Sequence, residues 1–137
     1  MNYVFDSSFV AALIIPDEKN PQVDGMYAKI LNEDERHAPH MLWYEISNIF
    51  MNLIRRNRYI YDEVMQFFPR VAAFDLTTDF ETGIAYSEKL LRICKDYGLS
   101  AYDAAYLELA GRKKAVLCTL DEYLIKAAKK YGVVTLE

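Results

Sequence analysis

Short apolar runs alternate with longer segments whose apolar residues recur every three or four positions, and the alternation continues along the whole chain. YVFD (3–6) reads as a buried strand, and SSFVAALII (7–15) as a helix capped by Ser7 or Ser8 and stopped by Pro16. A second helix is predicted over 22–33 (QVDGMYAKILNE), then a short strand-like link, RHAP (36–39). The strongest stripe lies in 41–56, where Leu42, Ile46, Ile49, Phe50 and Leu53 share a face and the closing arginines suit a helix C-terminus. Residues 61–68 begin another helix, which Pro69 should end or kink. AFDL (73–76) predicts a brief strand. Thr77 or Thr78 then opens a long helix that runs to Tyr97 and stops at Gly98. A helix beginning at Ser100, the strand AVLCTL (115–120), the helix DEYLIKAAKKY (121–131), a Gly132 stop and a last strand VVTL (133–136) complete the pattern.

Strands alternating with helices predict an α/β fold built on a parallel sheet. No repeat, low-complexity stretch or Pro/Gly-rich linker divides the chain, so residues 1–137 are expected to form one domain. At 53% hydrophobic and 26% charged residues, the chain is globular rather than disordered. Its longest apolar runs, such as FVAALII (9–15), are too short to cross a bilayer, and MNYVF (1–5) lacks the basic region of a secretory signal. Cys94 and Cys118, the only two cysteines, are expected as free thiols of a cytoplasmic protein. A net charge of −4 excludes gripping nucleic acid by bulk electrostatics alone, though not local basic patches.

The chemistry turns on acids. In LSAYDAAYLELA (99–110), Asp103 shares its helix face with Tyr106, Leu107 and Ala110, an unusual place for a carboxylate. Ser100 and Asp103 together also fit a capping box. Glu108 points the other way and is expected to pair with Arg112 as an ordinary solvent-side charge. Ligands of parallel sheets sit beyond the carboxyl ends of the strands. Asp6 and Asp121 each follow a strand and precede a helix, which puts both at that edge; each also fits a helix-capping acid. Glu45 borders the apolar stripe of its helix, with Asn48 and Asn52 on the same flank.

Carboxylates gathered at one edge repel, by roughly 3 kcal/mol for each pair ~5 Å apart at an effective dielectric of about 20. Retained protons or a divalent cation relieve this, and oxygen-only ligands select hard ions such as Mg²⁺ or Mn²⁺. A carboxylate-held Mg²⁺ suits phosphodiester hydrolysis. Other chemistries lack their residues. There is no CxxC pair, GxxxxGK loop, GxGxxG turn or GxSxG elbow, and His37 and His40 (HAPH) read as surface or strand residues without a third soft ligand.

Four segments, in order, resemble the PIN-domain family and, within it, the VapC-type toxins of toxin–antitoxin pairs. They are FDSSFVAALIIPDE (5–18), APHMLWYEISNIFMNLIRRNR (38–58), GLSAYDAAYLELA (98–110) and LCTLDEYLIKAAKKYGV (117–133). The resemblance implies a three-layer α/β/α fold with a central parallel sheet and Mg²⁺- or Mn²⁺-dependent RNA cleavage. It also implies a small antitoxin protein that masks the site. Carried over by position, it implies that Asp6, Glu45, Asp103 and Asp121 ring the metal, with the hydroxyls of Ser7 and Thr119 orienting carboxylates or water. Glu122 also stands next to the fourth position, where the Thr-x-Asp spacing favours Asp121; Asn57 stands where relatives often carry Gly.

Arg55, Arg56 and Arg58 are balanced between complementing a helix dipole and contacting RNA phosphate. Tyr59 and Tyr61 flank them and offer stacking surfaces, although ordinary packing suffices for most of the 11 tyrosines. Trp43, Met51 and Ile54 lie off the main stripe and suggest a second apolar contact, such as a homodimer or an antitoxin segment. Two rivals to a ribonuclease are a PIN-like module that only binds RNA or protein, and a phospho-accepting receiver domain. The latter lacks a second acid beside Asp6 and a strand-end Lys near Thr119.

Overall fold

In the computed structural model, which describes residues 1–137, four parallel strands form one sheet in the order β3-β2-β1-β4. They are β1 (Asn2–Phe5), β2 (Glu35–Pro39), β3 (Thr77–Asp79) and β4 (Val116–Cys118). Tyr3, Val4 and Phe5 lie between β2 and β4 and are buried on both faces, as a central parallel strand requires. Helices form the outer two layers, giving the expected α/β/α architecture. One group comprises α1 (Ser7–Ile14), α2 (Pro21–Tyr27), α3 (Met41–Arg55), α4 (Tyr61–Met65) and α5 (Phe67–Ala72). The other comprises α6 (Ile84–Tyr97), α7 (Ala101–Lys113) and α8 (Glu122–Tyr131), with α7 laid on β1, β2 and β4.

Several boundaries differ from the sequence expectation. Helix α1 is capped by Asp6, not by Ser7 or Ser8: its Oδ1 accepts the Phe9 N–H at 2.9 Å. Helix α2 ends at Tyr27 rather than near residue 33, because Asp34 captures the Leu31 N–H and the chain's amino terminus and holds a turn there. The helix begun at Tyr61 breaks before Pro69, which sits third in α5, where its missing N–H removes no helical bond. The strand expected over 73–76 is a turn with Asp75 at φ 54, anchored by buried Phe74, and the extended segment is Thr77–Asp79. The long helix therefore opens at Gly83, not at Thr77 or Thr78. The last strand is reduced to one parallel bridge, Leu117 to Thr135. Gly98 (φ 66) and Gly132 (φ 92) do stop α6 and α8 in the left-handed region, and Asn57 adopts φ 56 after α3. Trp43 and Ile54 pack against the core, the Trp43 indole donating to Thr78 at 3.0 Å; only Met51 of that trio is exposed. His37 is buried in β2, whereas His40 sits beyond the strand and stacks on Phe80.

Glu108 is the clearest correction. It is 1% exposed, because α7 is buried continuously from Ala104 to Ala110 with α6 and α8 packed along it. It does meet Arg112, whose Nε reaches Oε2 at 3.0 Å, and Lys89 of α6 donates to the same carboxylate at 2.9 Å. The Arg112 guanidinium also forks onto both Asp79 oxygens, at 2.9 and 2.7 Å, which clamps the edge strand β3 to α7. Burial pushes the Glu108 carboxyl up, but Arg112 and Lys89 outweigh it and hold it below the usual range. Arg112→Ala leaves Asp79 unpaired and Glu108 half-compensated, so urea denaturation at pH 7 should show a loss of about 2–3 kcal/mol.

Candidate active site

The carboxyl ends of β1 and β4 lie side by side, with Phe5 paired to Cys118. Asp6 leaves β1 directly into α1, and Thr119 leaves β4. Asp6 is 5% exposed and nonetheless ionisable. Its Oδ1 accepts from Ser8 Oγ at 2.7 Å and from the Phe9 N–H, and its Oδ2 accepts from the Thr119 hydroxyl. Thr119 Oγ1 in turn accepts the Asp121 N–H at 3.1 Å, so one hydroxyl joins two of the expected acids. Asp121 caps α8 through Oδ1, which takes the Tyr123 N–H at 2.9 Å and that of Leu124 at 3.3 Å. Glu122 is exposed and belongs to α8 proper.

Glu45 and Asp103 approach from two other helices. Glu45 is half-buried on α3, and its Oε1 accepts from the Tyr106 hydroxyl of α7. Asp103 lies in the first turn of α7, where its N–H donates to Ser100 Oγ at 3.2 Å; Ser100 therefore caps, as half of the expected capping box. Ser7 borders Tyr106, while Ser8 is the serine that holds Asp6. The sequence reading named neither Ser8 nor Tyr106 as a site residue. Tyr106 had a signal, its i+3 spacing from Asp103; Ser8 had none to set it above Ser7.

The electrostatics run in a chain. Burial, then the Glu45 charge, pushes the Asp6 carboxyl up to about 6 against three lowering hydrogen bonds. Burial, then Asp103, raises Glu45 despite the Tyr106 hydroxyl. Burial, then Asp121, raises Asp103. Each acid thus feels the next. None has a cationic partner, whereas Glu108, Asp34 and Asp79 are all ion-paired and all shifted down. A carboxylate cluster left without counter-charge, of oxygen donors only, fits a hard divalent cation. As the side chains stand, no three of them converge closely enough to ring an ion. A cleft of about 450 Å³ lined by Glu45, Asn48, Tyr44 and Tyr102 lies on one side of the acids. Another, of about 420 Å³, includes Ser7, Ser8 and Leu120. Of the basic cluster, Arg58 is held by Asp17 at 3.1 Å, while Arg55 and Arg56 are exposed. No helix is long and apolar enough to cross a membrane.

No family model matches the chain. Ribonuclease VapC3 of Pyrobaculum aerophilum is 27% identical over 124 residues, which span 90% of this chain and 92% of that protein. Among solved structures, PAE2754 from the same organism superposes with a TM-score of 0.73 at 21% identity, covering 98% of this chain and 89% of that one. A toxin–antitoxin complex from Klebsiella pneumoniae gives 0.65 at 16% identity, covering 97% and 96%. FitAcB from Neisseria gonorrhoeae gives 0.59 at 13%, covering 98% and 96%. At these identities the structural likeness is one of fold. The chain is thus similar over nearly its whole length to a VapC ribonuclease and has the fold of these PIN-domain structures.

Proposed function

We propose that the chain is a Mg²⁺- or Mn²⁺-dependent endoribonuclease of the cytoplasm, the toxin member of a toxin–antitoxin pair. The observation that carries the reading is the set of four acids at one sheet edge with no cationic partner, three of them raised by burial and by one another. The similarity to a VapC ribonuclease supports RNA as the substrate, and the toxin–antitoxin structural neighbour supports a small antitoxin as partner. Asp6 is too enclosed to meet RNA and acts as the anchor, fixed by Ser8, Phe9 and Thr119. Glu45 and Asp103 are the half-buried members, with freedom to close on an ion, and Asp121 completes the set from the cap of α8. When bound, a divalent cation would lower the pKa of a water and neutralise charge developing on the phosphate. The Glu45 carboxylate oxygen not held by Tyr106 is free to take a proton from the attacking water.

A second reading, a PIN-like module that binds RNA or protein without turnover, is favoured by one observation: no three of the acids converge closely as their side chains stand. Mn²⁺ titration separates the two without an activity assay. Binding to the native state alone stabilises it by RT ln(1 + [L]/Kd), about 2.7 kcal/mol at a hundredfold excess over Kd, and should raise Tm by several degrees. Asp103→Asn should lose most of that rise. Tight partner binding with neither a Tm rise nor cleavage of a mixed RNA panel at any divalent concentration would establish the module instead.

A further inference from the structure

Behind Tyr102 lies a third, more apolar cavity, open on one side, of about 280 Å³, near the lower end of the size range of small-ligand sites, about 300 Å³. It is built where the loops after β2 and β3 meet the first turns of α6 and α7, and its wall includes His40, Met41, Glu81, Tyr86, Ser87 and Tyr102. Met41 and Tyr102 also line the cleft that holds Glu45, so the cavity and the acid edge are continuous. Tyr102 is 63% exposed and immediately precedes Asp103. Helix α6 starts at the cavity wall on Gly83 with no side chain capping it, which leaves its first N–H groups available as donors.

We propose that this cavity receives a guanine base of the RNA, adjacent to the phosphate that faces Asp103 and Glu45. The inference rests on the ribonuclease reading and names a determinant of its specificity. Single-stranded RNA is read by bases splayed from the strand, stacked on aromatic rings and hydrogen-bonded along their edges. Tyr102 and Tyr86 offer the rings, beside His40, one face of which is already stacked on Phe80. Guanine alone presents two adjacent donors, N1–H and the N2 amine, which match the two oxygens of the Glu81 carboxylate. Its O6 is an acceptor for the Ser87 hydroxyl or the open N–H groups of α6. Uracil sets a single donor between two carbonyls, and adenine and cytosine each set a ring acceptor beside their amine, all of which the carboxylate repels. A volume of about 280 Å³ is on the scale of a single base rather than of a helix face, which makes an antitoxin segment the poorer occupant.

The test titrates the folded chain, with Ca²⁺ as the divalent ion, with the dinucleotides GpU, UpG, ApU, CpU and UpU, following the tyrosine ring signals by NMR. GpU or UpG should bind at least about tenfold tighter than UpU and shift Tyr86 and Tyr102, a size in keeping with one stacked base. Glu81→Gln should bring that ratio close to one, and Ser87→Trp, which fills the cavity from an exposed position, should abolish the Tyr86 shift. Equal affinities for all five overturn the proposal, as does a guanine preference that survives Ser87→Trp. A partner protein that shields Tyr86 while no nucleotide shifts it also overturns it. Mapping cut sites on an RNA panel with Mn²⁺ keeps the failures apart. Metal-dependent cuts with no guanine beside them sink the base site and leave the ribonuclease, whereas no cleavage and no nucleotide binding sink both.

Discussion

Asp103→Asn should abolish metal-dependent RNA cleavage while leaving the fold intact. The substitution keeps the side-chain volume and the capping hydrogen bond from the backbone N–H of residue 103 to Ser100 Oγ, and the Asn carbonyl can still accept from the Ser100 hydroxyl, as the carboxylate does. It removes a half-buried carboxylate already raised by burial and by Asp121, so folding loses no favourable charge. Loss of outer-shell partners of metal ligands typically costs 10–100-fold, and a ligand itself should cost more than about 100-fold in kcat/KM. Ser100→Ala is the counterpart. It deletes the cap, costs about 0.5–2 kcal/mol of stability, and should leave kcat nearly unchanged once the protein is folded. The measurement is cleavage of a mixed RNA panel in Mn²⁺, Mg²⁺ or EDTA, with circular dichroism on each variant. Equal activity of wild type and Asp103→Asn would return Asp103 to a capping role and assign the cleavage to a contaminating nuclease.

The two variants divide what was legible in the chain from what was not. Asp103 stood out because a carboxylate on the packed face of an apolar helix breaks the local pattern, and a broken pattern is where function concentrates. The positions of Asp6 and Asp121 followed from strand–helix junctions in a parallel sheet, which needs only the order of elements. Glu108 was misread by the same logic. Its pairing with Arg112 at i+4 is local and correct, but its burial depends on α6 and α8 closing over α7, and Lys89 lies 19 residues away. The near-continuous apolar run from Ala104 to Ala110 was the available warning, since a helix apolar all round is an interior helix. Strand β3 was missed for a related reason: TTD carries no apolar run, and its extended form is imposed by pairing with β2 and by the Arg112 fork. Phe74, whose neighbours read as the strand, instead plugs the core against Phe5 and Tyr27. The hydroxyl shell of Asp6 was half-legible. Thr119 was implied by the family resemblance, as was Ser7, but the choice of Ser8 over Ser7 depends on which way the first turn of α1 faces.

Asp6→Asn should stabilise the metal-free protein above pH 6 and inactivate it at once. In the fold the Asp6 carboxyl sits at about 6, against an ordinary 3.8, with burial the largest cause. A carboxyl raised by folding contributes stability that is fully present below its unfolded pKa and is lost as pH rises through the folded one. The wild type should therefore lose this contribution between about pH 4 and pH 6, reaching about 3 kcal/mol above that range. Asparagine has the same shape and no charge. Its carbonyl can accept from Phe9 N–H and Ser8 Oγ, and its amide donates to Thr119 Oγ1 as the protonated Asp6 carboxyl does, so the hydrogen bonding matches that of the wild type at low pH. Urea denaturation in EDTA from pH 4 to pH 8 should thus give curves that nearly meet at pH 4 and diverge above pH 6, with the variant the more stable. Mn²⁺ should then close the gap from the wild-type side only, because an ionised Asp6 is stabilised by the cation and the amide is not. Parallel curves, with the variant less stable throughout, would mean that Asp6 is held ionised in the metal-free fold and that its hydrogen bonds outweigh its burial. A variant that is more stable and still cleaves RNA would place the ion elsewhere. More stable and inactive is the result expected of a residue kept for its charge, in a place where that charge is a burden to the fold.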